Sequence, residues 1–106
     1  MTLLEIIRDK IARRMYEFSR HAVDQSIQRN ISVQEMEQAI LAHSKLIEAY
    51  PEDKYGPSYL ISGITEAERP IHIQCACVDK SMMKIVTLYE PDPKRWVDAT
   101  FRKRKG

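Results

Sequence analysis

The sequence predicts an α+β domain in which N-terminal helices pack on one face of a mainly antiparallel sheet of four or five strands. Helical apolar spacing and helix-start signals fill residues 1–43, whereas alternating strand-like runs follow from residue 45. Residues 70–91 contain two apolar runs separated by a polar break, which is typical of a β-hairpin. Because helices and strands are segregated along the chain, the pattern favours α+β over a βαβ arrangement.

The first two helices are predicted from their apolar spacing and their caps. Apolar residues recur at helical intervals over Thr2–Arg14, with Thr2 as the N-cap. Residues 15–18 are either a short strand or an extended link. A second helix is predicted over Ser19–Arg29, and Val23 and Ile27 form its expected apolar stripe.

The third helix has the clearest start signal in the chain. Ser32-Val33-Gln34-Glu35 is a capping box, in which the serine hydroxyl and the glutamate carboxylate each accept a bond from an exposed amide. The helix is expected to run to residue 42 or 43 and to bury Val33, Met36 and Ile40.

Two strands are predicted between the helices and the hairpin. Lys45–Tyr50 alternates in the manner of a strand near a sheet edge, and residues 51–57 form a loop rich in proline and charge. Ser58–Thr65 is the next strand. Its expected pairing places Gly63 beside His72, where a glycine would leave space over the sheet.

The hairpin of residues 70–91 assigns different roles to the two sheet faces. With the turn at Lys80-Ser81, one face, called here the mixed face, is polar and is expected to be at least partly open. Its cross-strand pairs are His72 with Tyr89, Gln74 with Thr87, and Ala76 with Ile85. The other face is expected to be the core face and carries Ile71, Ile73, Cys75, Cys77, Val86 and Leu88.

The C-terminus is predicted to be a helical turn over Lys94–Thr100 that packs Trp96, followed by a basic tail. We therefore expect one domain over residues 1–101 and a tail over residues 102–106. The net charge is +2, and Arg102–Lys105 supplies four of the positive charges, so the rest of the chain is slightly acidic. This balance argues against a uniformly basic nucleic-acid binder. The tail either holds RNA electrostatically or is a solvated terminus.

Membrane, metal and cofactor chemistry are not predicted. The longest apolar runs are far shorter than a membrane span, and the amphipathic N-terminus lacks the features of a signal peptide, so a cytoplasmic protein is expected. Cys75 and Cys77 would share a strand face that points away from His72, which is poor geometry for a mutual disulfide or a shared metal site. They are expected to be buried thiols.

The candidate catalytic residues are His21, Arg29, His72 and Tyr89. Two histidines can supply the base and the acid for metal-free RNA cleavage, and an arginine can stabilise charge on the phosphate. Each residue also has a structural interpretation, which spacing alone favours: His21 as part of a helix cap, Arg29 as a cation at a helix end, His72 bonded to Tyr89 or Gln74, and Tyr89 as an aromatic residue of the sheet. The further candidates for RNA contact are Arg20, Gln74, Thr87 and Arg95.

Several anchors along the chain resemble a bacterial family, domain of unknown function 4258. They are FSRHA at 18–22, Arg29 before Ile31-Ser32, YP at 50–51, YGPSYLI at 55–61, RPIHI at 69–73 and TLYEPDPKRW at 87–96. That family is similar in size and element order to toxins of RelE-like fold, including the BrnT-like and MqsR-like groups. The resemblance implies a messenger-RNA endonuclease, acting with or without the ribosome, and a partner antitoxin, of zinc-finger type in the MqsR-like group.

Two hypotheses of function follow. In the first, the chain is the toxin of a type II toxin–antitoxin pair and an endoribonuclease that leaves 2′,3′-cyclic phosphate ends. In the second, it is a non-catalytic domain that binds a protein partner through the mixed face. Convergence of the four candidate catalytic residues in space would favour the first.

Overall fold

The structure is a computed structural model that describes residues 1–54, 56–97 and 101–102, the side chains of residues 97, 101 and 102 excepted. Within these residues three helices pack against a five-stranded mixed sheet, and the short strand β1 (Tyr16–Phe18) lies between the first two helices, which confirms the predicted α+β class. The helices are α1 (Leu3–Ala12), α2 (Arg20–Gln28) and α3 (Val33–Leu41).

Each helix begins at the cap that the sequence indicates. The hydroxyl of Thr2 accepts a hydrogen bond from the amide of Glu5, and that of Ser19 accepts one from the amide of Ala22. The capping box of α3 is complete, since Glu35 also accepts a bond from the amide of Ser32 at 3.0 Å. These side chains satisfy amides that lack partners in the first turn of a helix.

The buried positions on α2 and α3 differ in part from the prediction. Val23 and Ile27 are 42% and 73% exposed, whereas Ala22 is fully buried, because α2 lies along the side of one strand and turns only a narrow stripe inward. On α3, Met36 and Ile40 are buried as predicted. Val33 is 48% exposed because it is the first residue of the helix, beyond the contact with the sheet.

The sheet has the strand order β1-β5-β4-β3-β2. Its edge strand β1 pairs in parallel with β5, and the other neighbours are antiparallel, with α3 over β3 and β4. The isoleucines on the core face of the sheet pack against α1 and α3. The strands are β1 (Tyr16–Phe18), β2 (Lys45–Tyr50), β3 (Ser58–Ile64), β4 (Pro70–Ala76) and β5 (Met83–Tyr89).

The predicted register of the hairpin is correct at its open end and wrong near its turn. His72 pairs with Tyr89 and Gln74 with Thr87, as predicted. A bulge at Val86 then shifts the register, so that Cys75 pairs with Ile85 and Ala76 with Lys84. An extra residue in one strand reverses the facing of everything beyond it. Ile85 is therefore a buried core residue, and Val86 is only half-buried.

Gly63 allows α3 to pack closely on the sheet and does not open space over the mixed face. It pairs with Ile71, and Ser62 is the residue opposite His72, so the predicted register of β3 is wrong by one position. A Cβ atom at Gly63 would lie 2.0 Å from the carbonyl oxygen of Ala39. The absence of a side chain allows the helix backbone to approach the strand closely.

The C-terminal segment forms strand structure where a helical turn was predicted. A turn at residues 92–95 leads into β6 (Trp96–Val97), which pairs with β7 (Phe101–Arg102) in a separate two-stranded sheet. Trp96 packs as predicted and is 4% exposed. Residues 98–100 of the predicted turn and 103–106 of the predicted tail lie outside the described residues, and the boundary at residue 101 stays a prediction.

Candidate functional site

His72 and Tyr89 form a bonded pair at one end of the mixed face. Because they are cross-strand neighbours, their side chains project together, and Nδ1 of His72 lies 3.3 Å from the hydroxyl of Tyr89. The indole of Trp96 and the imidazole of His72 are nearly perpendicular, at 88°, with the ring centroids 4.4 Å apart. His72 is fully buried as a result, so this end of the mixed face is covered, contrary to the expectation of an open surface.

Arg29 reaches this pair from the C-terminal end of α2. Beyond β1 the helix runs along the side of β5, where the hydroxyl of Ser19 donates to the carbonyl of Val86 at 3.0 Å. At its other end Nη1 of Arg29 donates to the carbonyl of Leu88 at 3.0 Å, and its guanidinium carbon lies 5.8 Å from the centroid of the Tyr89 ring. The helix thus carries a cation to the same ring that bonds His72.

A cleft of about 600 Å³ opens beside these residues. We call it the Arg29 cleft. Its arginines and aromatic rings suit a ligand with anionic and planar groups, since guanidinium pairs with phosphate and stacks on rings. Arg95 is exposed on the turn that precedes Trp96. The lining residues are Arg29, Arg69, Tyr89, Glu90, Asp92, Arg95 and Trp96.

Arg69 is bound tightly within the protein. Its side chain forms ion pairs with Glu35 and Glu90 and donates to the carbonyls of Arg29 and Asn30. The hydrogen bonds that Arg69 donates to Glu90 and to Glu35 raise its pKa, so the group stays charged. Arg29 and Arg95 are therefore the cations best placed to meet a ligand in the cleft.

The structure does not bring His21 to the other candidates. His21 is exposed in the first turn of α2, next to the exposed Arg20. Arg29 is eight residues further along, or about 12 Å at the rise of an α-helix. The two imidazoles also differ in environment, since one is in solvent and the other is buried under Trp96.

Gln74 belongs to a second polar group, further along the mixed face. Its amide donates to Asp53 at 2.7 Å and to the hydroxyl of Ser58 at 2.9 Å. The bond from Ser58, a backbone amide bond from Lys54 and the bond from Gln74 lower the pKa of Asp53. Thr87 lies opposite Gln74 and is half-buried.

Four residues that line the cleft were not among the predicted site residues: Arg69, Glu90, Asp92 and Trp96. All four lie within the RPIHI and TLYEPDPKRW anchors, so their signal was present in the sequence. Their convergence depends on the contact of the start of β4 and the end of β5 with the turn between α2 and α3. That contact cannot be read from spacing along the chain.

The potential metal ligands are scattered. Among residues 1–54, 56–97 and 101–102, no three histidine, cysteine or carboxylate side chains are grouped in a way that could hold a metal ion. Cys75 is buried, and Cys77 is half-buried with a positive φ of 54° at the end of β4. In the same part of the chain no helix is long and apolar enough to cross a membrane.

The protein is a small α+β domain with an arginine-rich cleft at one end of its sheet, beside the C-terminal end of α2. The chain belongs to the family described as Domain of unknown function (DUF4258), which matches residues 18–90 and so includes Arg29, His72 and Tyr89. The family predicted from the anchors is thereby confirmed. Neither the curated proteins nor the solved structures gave a match, so the resemblance to RelE-like toxins stays a prediction.

Proposed function

We propose that this protein is the toxin of a type II toxin–antitoxin pair and cleaves RNA in the Arg29 cleft without a metal ion. The observation that carries the proposal is the convergence of Arg29, Tyr89 and His72 at one end of the sheet. A cation, a phenol and a buried imidazole in contact are groups suited to phosphate binding and proton transfer.

Arg29 and Arg95 are the RNA-binding cations of the proposal. Both line the cleft. Arg69 also lines it, but its guanidinium is ion-paired with Glu35 and Glu90. Arginine binds phosphate oxygens in a bidentate manner and stabilises the charge that develops on them during cleavage. This contact is electrostatic, so binding weakens as salt concentration rises.

Tyr89 and His72 act as one unit in the proton transfer. The 2′-hydroxyl oxygen of the RNA attacks phosphorus, and its proton passes to the Tyr89 oxygen as the phenol proton moves to Nδ1 of His72. The bond from phosphorus to the 5′-oxygen breaks, and that oxygen takes a proton from water. The hydroxide ion that remains is neutralised by the proton that His72 returns through Tyr89, so both residues regain their starting state. The products are a 2′,3′-cyclic phosphate and a 5′-hydroxyl.

Trp96 supports the charged form of His72 in this scheme. Burial makes an imidazolium ion costly, whereas the face of an aromatic ring within about 6 Å attracts a cation. The Trp96 centroid is 4.4 Å from that of the imidazole. His21 takes no part in this mechanism because it lies at the other end of α2.

The proposal places the protein in the cytoplasm with a partner antitoxin that blocks the cleft. Messenger RNA is the substrate, either free or on the ribosome. The partner would be encoded beside the toxin, and an antitoxin of zinc-finger type is the arrangement that the resemblance to the MqsR-like group suggests.

Induced expression in a bacterial host tests the proposal. We expect growth arrest and RNA fragments with 5′-hydroxyl ends for the wild type, and neither for Tyr89→Phe, which keeps the ring and removes the hydroxyl. Arg95→Gln should weaken both effects. The matched control is Arg13→Gln at the C-cap of α1, an exposed arginine whose side chain pairs with Asp9 one turn earlier. Wild-type expression without arrest or cleavage would refute the proposal.

A second candidate is a non-catalytic domain that binds a protein partner through the mixed face. The observation in its favour is that Asp53, Ser58 and Gln74 form a hydrogen-bonded group on that face beside the half-buried Tyr50. Ser58 is buried, and its bonds fix the half-buried Asp53 and Gln74 as polar groups that a partner could match. Growth arrest that persists in Tyr89→Phe but disappears in Gln74→Ala would favour this candidate.

A further inference from the structure

The guanidinium group of Arg69 joins separate parts of the chain beside the Arg29 cleft. Nη2 donates to the carbonyl of Arg29 at 2.9 Å, and Nη1 donates to that of Asn30 at 2.7 Å. Nη1 also pairs with Glu35 in the first turn of α3 at 3.0 Å, and Nε pairs with Glu90 just after β5. One side chain just before β4 therefore binds the α2–α3 turn, the first turn of α3 and the residue that follows β5.

The bonds from Arg69 to the carbonyls of Arg29 and Asn30 lie at the C-terminal end of α2. The last carbonyls of a helix have no partner within it, and Arg29 is the C-cap of α2. Asn30 then turns the chain with a positive φ of 52°. A planar guanidinium with donors in a fixed arrangement can satisfy two successive carbonyls and two carboxylates at once, which an ammonium group on a flexible chain cannot do.

We propose that Arg69 is a positioning residue that holds Arg29 over the Tyr89 ring and thereby sets the RNA affinity of the cleft. The second half of this inference rests on the proposed function. Arg69 does not itself need to touch RNA, because Nε, Nη1 and Nη2 are all engaged within the protein. Its effect passes through the carbonyl of Arg29 to the orientation of that residue's own guanidinium.

The chain contains a matched control in Arg8. Its guanidinium also binds carbonyls at a helix end, with Nε on Ile40 and Nη2 on Ser44 at 2.9 Å. These bonds close the C-terminal end of α3, whereas Arg69 meets its first turn. Arg8→Lys therefore removes the same kind of interaction from a place away from the cleft.

The experiment compares Arg69→Lys with Arg8→Lys in three measurements: the free energy of unfolding, the nuclear Overhauser contacts between the Arg29 side chain and the Tyr89 ring, and the affinity for a short single-stranded RNA at fixed salt. We expect both variants to lose stability. Only Arg69→Lys should lose the Arg29–Tyr89 contacts and bind RNA about tenfold more weakly, the loss of roughly one phosphate contact.

The outcomes separate this inference from the proposed function. If Arg69→Lys keeps the contacts, or if Arg8→Lys loses them equally, Arg69 is not a positioning residue. If the wild type binds no RNA while Arg69→Lys alone loses the contacts, the positioning role stands and the proposed function fails. Should Arg69→Lys not fold, Glu90→Gln removes one anchor of the same guanidinium and is expected to weaken the contacts in part.

Discussion

Nδ1 of His72 lies 3.3 Å from the hydroxyl of Tyr89, and this bond connects a fully buried imidazole to a ring at the edge of a cleft. Tyr89 is half-buried and is contacted on its ring by Arg29. The pair therefore joins the interior of the protein to the surface where we place its chemistry.

Removal of the Tyr89 hydroxyl should have a measurable cost in stability. Tyr89→Phe leaves a polar atom of His72 without this partner, and we expect the free energy of unfolding to fall by about 1 kcal/mol. Chemical denaturation measures the change. Tyr59→Phe is the control, because the Tyr59 side chain is half-buried on the core face and packs against the hydrophobic cluster. An equal loss in both variants would show that the bond contributes nothing specific.

Replacement of Gly63 by alanine should be strongly destabilising. The added Cβ would lie 2.0 Å from the Ala39 carbonyl oxygen, so α3 must move away from β3. Overpacking of this kind costs about 3 kcal/mol. In Gly56→Ala the added Cβ has open space and the cost, from a positive φ of 84°, should be about 1 kcal/mol. Thermal unfolding of the two variants would contradict the structure if Gly56→Ala were the less stable.

The two cysteines should differ in reactivity. Burial raises the pKa of the Cys75 thiol to about 12, so the reactive thiolate is scarce and the sulfur is inaccessible. Cys77 is half-buried at the end of β4. A thiol reagent at pH 8 is therefore expected to modify one thiol per native chain, and both in denaturant. Mass spectrometry of Cys75→Ala and Cys77→Ala identifies the site, and rapid modification of Cys75 would contradict the burial.

The contribution of Glu35 to stability should disappear in acid. The amide of Ser32 and then the Arg69 guanidinium hold its pKa below the ordinary value of 4.5. The unfolded chain then takes up a proton before the folded chain does, so this stability is present above pH 4.5 and is lost as pH falls through the lowered value.

The measurement is the difference in unfolding free energy between the wild type and Glu35→Gln over pH 2.5 to 7, a range chosen to bracket that loss. We expect the difference to be constant above pH 5 and to shrink below about pH 4.5. Glu52→Gln, an exposed residue in the loop after β2, is the control. A difference that grows in acid would reverse the sign of the argument.

Local signals predicted most of the elements correctly. Thr2, Ser19 and the capping box of Ser32 and Glu35 each begin a helix, because a cap satisfies amides within its own turn. The pairing of His72 with Tyr89 was also correct, since alternation specifies the register near a buried face. The prediction that Ile85 lies on the mixed face was wrong. The bulge at Val86 adds one residue to β5, which reverses the facing of Ile85 and places it in the core.

The site was predicted only in part. Arg29, His72 and Tyr89 were named and do converge, and Arg95 lines the same cleft. His21 was grouped with Arg29 because both lie on α2, but eight residues of helix separate them. Arg69 was not among the named site residues, although four groups from distant parts of the chain meet at its guanidinium.

The sequence by itself determined the α+β class, the helix starts and the strands β2 to β5, because these depend on contacts within a turn or on a period of two or 3.6 residues. The family was identified separately, from the resemblance of the anchors. The tertiary structure decided the burial of His72 beneath Trp96, the exposure of Val23 and Ile27, and the part that Arg69 takes in the cleft. Each of these depends on which strand end meets which helix end. That information lies in the packing of the whole chain, and no local period of the sequence records it.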